Sequence, residues 1–79
     1  MYIEITVDLT NYDGGVFDLR LSDYHTMKKM VEIARQAKGV TKYQREGHWV
    51  RIVNKNRVVP GHVSMAKCGI QTGDRLEIL

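Results

Sequence analysis

From Tyr2 to Leu9 the chain alternates without a break. Ile3, Ile5, Val7 and Leu9 fall on one side, and Tyr2, Glu4, Thr6 and Asp8 on the other. A period of two carried by β-branched side chains marks a strand with one buried face. A one-residue slip would turn every apolar side chain to water, so the register is strongly constrained. The alternation returns at residues 16–21, with Phe17, Leu19 and Leu21 opposed to Asp18 and Arg20. The run Asn11-Tyr12-Asp13-Gly14-Gly15 lies between them and is rich in residues that tolerate positive φ, so the chain opens with a β-hairpin.

The period then changes to that of a helix, with Met27, Met30, Val31, Ala34 and Ala37 on one stripe. Thr26 is the expected N-cap, its hydroxyl accepting from a free first-turn amide. Gly39 is the expected residue just past the helix, and Val40 supplies the apolar contact that follows it. Lys28, Lys29, Glu32 and Gln36 face water.

Residues 41–48 are polar and irregular and read as a loop. Residues 49–54 (Trp-Val-Arg-Ile-Val-Asn) read as a third strand, Asn54 to Asn56 as a turn, and Arg57 to Val59 as a short fourth strand. Pro60, which cannot donate to a ladder, ends it. A short helical turn at Ser64–Lys67, a turn at Thr72–Asp74 and a last strand at 75–79 follow, with Leu76 and Ile78 inward. The order β-β-α-β-β-short helix-β is an α+β pattern with one main helix on one sheet. The last strand is expected to pair with the first.

The 79 residues are 43% hydrophobic and 27% charged, which suits one folded domain, residues 1–79, rather than a disordered chain. No apolar run approaches bilayer length, and Met1 to Ile5 does not form a secretory signal, so a cytoplasmic location without membrane insertion is expected. The single Cys68 reads as a small hydrophobe rather than a nucleophile. His25, His48 and His62 lie in different loops at no metal-ligand spacing. Gly14, Gly15 and Gly61 form no phosphate loop, and Asp13, Asp18 and Asp23 read as solvated charges. No enzyme, metal, cofactor or small-molecule substrate is therefore expected.

The net charge is +3, and the excess is local. Residues 40–57 contain Lys42, Arg45, Arg51, Lys55 and Arg57 against Glu46 alone. This suits an acidic partner surface, anionic lipid or nucleic acid; a solvated basic loop is the plainer reading.

The order of elements is that of the ubiquitin superfamily: a β-grasp with a five-stranded mixed sheet packed on one helix. Residues 64–79 resemble its closing element, in which an Ile fills the core before a Gly-Asp turn and the last strand. Four segments resemble a narrower group, the YukD/EsaB-like ubiquitin-like proteins of Gram-positive type VII (WXG100, ESX) secretion systems. They are Val16 to His25, Arg45 to Arg51, Val53 to Lys55 and Gly73 to Leu79. The resemblance implies a non-catalytic cytoplasmic accessory protein that binds components of the secretion apparatus, such as its membrane-anchored ATPase. Conjugation and sulfur transfer in this superfamily need a flexible Gly-Gly tail, whereas this sequence stops at Leu79, so neither is expected.

With Val50 and Ile52 inward, Trp49, Arg51 and Val53 lie on the sheet face away from the helix, with Lys55 and Arg57 as a basic rim. An exposed Trp beside an Arg has the composition of a binding hot spot. The open sheet face is also the docking surface that the ubiquitin-like resemblance implies. The competing register puts Trp49 and Val53 in the core. A basic adaptor for nucleic acid, with Tyr43 and Trp49 stacking on bases, is the alternative function.

Overall fold

The computed structural model describes residues 1–79. Strict alternation places β1 at Tyr2–Asp8, and β2 follows at Val16–Ser22. They pair antiparallel over their whole length, from Tyr2 opposite Ser22 to Asp8 opposite Val16. The connection is tighter than a plain loop. Thr10–Tyr12 make a 3-10 turn, and Asp13 takes the left-handed conformation at φ 61°.

Helix α1 spans Met27–Ala37. The N–H groups of its first four residues all have acceptors, the first three of them outside the helix's own i→i−4 ladder, as burial of a helix end requires. Met27 N–H donates to Val63 O, Lys28 N–H to Gly61 O, Lys29 N–H to Thr26 Oγ1 and Met30 N–H to Thr26 O. Gly39 ends the helix at φ 61°, with Val40 N–H donating back to Arg35 O and Gly39 N–H to Gln36 O. These are the two reversed bonds that a left-handed glycine permits. Met27, Met30, Val31 and Ala34 are buried as the stripe requires, but Ala37 is exposed because it lies in the last turn, beyond the sheet.

Strand β3 is Val50–Ile52, β4 is Arg57–Val59 and β5 is Arg75–Ile78. The expected third strand is thus cut at both ends. Val53–Lys55 bend into a 3-10 turn, closed by Asn56 at φ 51°. Residues 64–67 form hydrogen-bonded turns rather than a helix, with Cys68 N–H donating to Ser64 O. The sheet order is β2-β1-β5-β3-β4. The pairing of β1 with β5 is parallel and the other three pairings are antiparallel, giving the mixed sheet of a ubiquitin-like β-grasp.

One cluster of 18 buried residues lies between sheet and helix. It includes Ile3, Ile5, Val7 and Leu9 from the first alternation, Val50 and Ile52 from β3, and Leu76 and Ile78 from β5. Val50 and Ile52 are fully buried, which excludes the shifted register. Met65, Cys68 and Ile70 close the core from the segment between β4 and β5. Burial pushes the Cys68 thiol pKa up, against the lesser opposing effect of the nearby Arg57 charge.

Ile5→Asp or Leu76→Asp is expected to abolish cooperative folding. An unpaired carboxylate at either fully enclosed position costs several kcal/mol, a large part of the stability of so small a domain. Circular dichroism should show no sigmoidal melt; a cooperative transition near the parent temperature would contradict this packing.

Candidate functional site

The five residues expected at the binding surface do not form one patch. Arg51 points away from the core, between the buried Val50 and Ile52. Its guanidinium donates from Nε and Nη2 to Glu77 Oε1 on β5, at 2.9 and 2.8 Å. Val53 is 37% exposed in the 3-10 turn that follows. Trp49 is 44% exposed and just precedes β3; its indole lies over Gly47, where an added Cβ would stand 2.5 Å from Nε1.

The two basic rim residues are committed to the fold. Lys55 Nζ donates to Asp74 Oδ2 at 2.9 Å and to Gly69 O at 2.6 Å. Arg57 is in register with Ile52, on the helix side of β4, and Nη1 donates to Cys68 O. Both side chains thus reach the segment between β4 and β5 rather than lining the open face. The residue that faces outward beside Arg51 is Val58, 51% exposed and directly opposite it in the ladder. Alternation over Arg57-Val58-Val59 was a signal for this, since Val59 had to be the buried one.

Asp74 is the hub that holds Lys55, although its sequence context marks only a turn. Asp74 as a whole is 4% exposed. It accepts from Asn54 Nδ2 at 2.8 Å, from Gln71 N–H at 2.9 Å and from Lys55. Asn54 Oδ1 in turn accepts from Arg75 N–H. Burial alone would raise the Asp74 pKa, but the bonds from Asn54, Gln71 and Lys55 and the Lys55 charge outweigh it and hold the pKa below the ordinary aspartate range. Asp8 follows the same logic. Burial raises its pKa, while the Thr10 hydroxyl and amide and Arg75 more than reverse the effect.

The local basic excess that the sequence pointed to is largely neutralised within the fold. Lys42 pairs with Asp13, Arg51 with Glu77 and Lys55 with Asp74. Across the open sheet face Thr6 donates to Asp18 at 2.8 Å, and Arg75 bridges to Asp8 at 3.1 Å. One register row crosses all five strands, Val16–Asp8–Glu77–Arg51–Val58. It presents an ion-paired centre between two apolar ends.

The histidines are not all apart. His48 and His62 line one depression, brought together by the close crossing of residues 47–48 and 61. Gly61 N–H donates to Gly47 O, and an added Cβ at Gly61 would stand 2.6 Å from His48 Cβ, so only glycine fits. The spacing of the two histidines in sequence gives no hint of this.

Compared with known proteins, the sequence matches over residues 2–78 the family described as "YukD: WXG100 protein secretion system (Wss), protein YukD". It is 60% identical over 79 residues, the full length of both chains, to the ESX secretion system protein YukD of Bacillus subtilis (strain 168).

Acid sensitivity follows from the two buried carboxylates. Their native pKa values are depressed, so their stabilisation is complete above an unfolded value of about 3.9 and is lost as pH falls through the lower native values. Asp74→Asn should lower the melting temperature at pH 7, by the equivalent of about 1–3 kcal/mol for lost charged hydrogen bonds. Its gap from the parent should narrow at pH 3. Melting curves that stay equally far apart at both pH values would exclude Asp74 as the titrating hub.

Proposed function

The chain belongs to the YukD family of WXG100 secretion-system proteins, and from that premise we propose that it is a non-catalytic ubiquitin-like domain, residues 1–79, acting in the cytoplasm. It binds other components of the type VII (ESX) secretion apparatus without being conjugated to them. The full-length identity to a protein of that system carries the reading. No helix is long and apolar enough to cross a membrane, so attachment to a membrane-anchored part such as the ATPase would run through protein contacts.

The docking strip proposed for this role runs along β3 and its ends, through Trp49, Arg51 and Val53, with Val58 alongside. An aromatic ring, a guanidinium held in place by Glu77 and two valines give the mixture of rigid apolar area and directed hydrogen bonding found at binding hot spots. Lys55 and Arg57, expected as its basic rim, support the strip from behind by fixing the segment between β4 and β5.

Trp49→Ala combined with Arg51→Ala should leave the circular dichroism spectrum and cooperative melting intact, because neither side chain is in the core. Affinity-tagged parent protein, recovered from host cells, should carry type VII secretion components, and the double variant should lose at least tenfold of them. Equal recovery by the two proteins would remove the strip from the reading. Failure of the parent to recover any such component would contradict the reading itself.

A further inference from the structure

Most of the positive charge on this protein has a partner within the chain. Lys29, Lys42, Arg51, Lys55 and Arg75 pair with carboxylates. Arg20, Arg35 and Lys38 lie over Tyr2, Tyr12 and Phe17, and Arg57 donates to a backbone carbonyl. Three side chains remain with no carboxylate, carbonyl or ring to satisfy them: Lys28, Arg45 and Lys67. Two of these, Lys28 and Lys67, line neighbouring depressions that meet at His62.

The first depression, of about 540 Å³, has Tyr24, Val63 and Ala66 among its walls and Lys67 at its edge. The second, of about 420 Å³, is bounded by Lys28, His48, Trp49 and Pro60. No carboxylate lines either one. Their common wall is rigid. Residues 61 and 63 are tied to the helix start by Lys28 N–H to Gly61 O and Met27 N–H to Val63 O, and Thr26 bridges Ser64. A preformed wall lowers the ordering cost of binding.

We propose that these two depressions form one groove that receives an extended acidic segment of a partner protein. Its carboxylates would meet Lys28, Lys67 and the two imidazoles, and its apolar side chains would meet Tyr24, Val63 and Trp49. The proposal rests on the binding reading above and adds a surface with a defined chemistry that adjoins the β3 strip at Trp49. A protein segment suits the groove better than a polyphosphate or a lipid surface. The surface is concave, and it carries only two lysines, one in each depression. Nucleic-acid affinity, by contrast, rises with the number of phosphates neutralised.

The test uses the full 79-residue chain, labelled with 15N, and a capped dodecapeptide of alternating Glu and Leu. The expected result is chemical-shift change at Lys28, His48, His62, Ser64 and Lys67 and at the Trp49 indole N–H, with Arg51, Val58 and Glu77 unmoved. Lys28→Glu with Lys67→Glu should weaken the peptide at least tenfold. Arg45→Glu with Lys38→Glu makes the same change in net charge elsewhere and should weaken it less than threefold. All four positions are solvent-facing, and unchanged melting of both double variants checks the fold. Equal weakening by the two double variants would show net charge rather than a groove. Shifts confined to the Arg51–Glu77 row, or tighter binding of phosphatidylglycerol vesicles or a thymidine dodecanucleotide to the same residues, would also overturn the proposal. If the peptide fails while type VII components still co-purify with the parent protein, the groove falls and the secretion reading stands. If co-purification fails, the secretion reading falls whatever the peptide does.

Discussion

Two strands from opposite ends of the sequence, β1 and β5, lie side by side in the centre of the sheet, and the rest of the structure is arranged around that pairing. It is the one parallel contact, with Thr6 opposite Arg75 and Asp8 opposite Glu77. Parallel neighbours need a crossover between them; here the whole intervening chain serves, with α1 covering the face it leaves. The pairing is reinforced at its edges. Thr6 N–H donates to Asp74 O, Arg75 reaches Asp8, Asn11 Nδ2 donates to Ile78 O and the Tyr12 hydroxyl donates to Leu79 O at 2.6 Å. The connection between β1 and β2 therefore does more than reverse the chain, because its polar side chains hold the end of β5.

That central pairing explains which parts of the fold were legible beforehand. Residues 2–9 and 16–21 alternate because each strand has one covered face, and the helix stripe from Met27 to Ala34 is the matching cover. Such periodic burial leaves a direct mark on sequence. Thr26 and Gly39 were readable for a local reason, since each satisfies backbone groups that a helix end exposes. Tyr12 was not readable. It sits within a turn-like run, and its burial depends on β5 and on Arg35, which lies over its ring at 5.4 Å.

The candidate site shows the same division. Strand parity placed Arg51 outward and Val50 and Ile52 inward, and both hold. Parity says nothing about where a long cation ends, so Lys55 and Arg57 read as surface charge although one reaches a buried carboxylate and the other a carbonyl. The difference is physical. Burying Asp74 would be costly without compensating bonds, and the turn at Val53–Lys55 brings Asn54 and Lys55 to supply them. A composition count sees five cations between residues 40 and 57; the folded protein leaves only Arg45 of them unsatisfied. The free lysines, 28 and 67, come from segments whose sequence attracts no notice.

A protein that satisfies most of its own charges, while keeping an aromatic, two valines and a pair of lysines at its surface, is suited to selective contact with other proteins. Contact of this kind with the secretion apparatus is the function proposed for it. Photo-crosslinking in living cells tests it most directly, with p-benzoylphenylalanine placed in turn at Tyr24, Tyr43, Trp49 and Arg51. Adducts that contain a type VII secretion component, formed from Trp49, Arg51 or Tyr24, are the result this account requires. Adducts only with ribosomal proteins or other nucleic-acid-associated proteins, or none from any of the four positions, would contradict it.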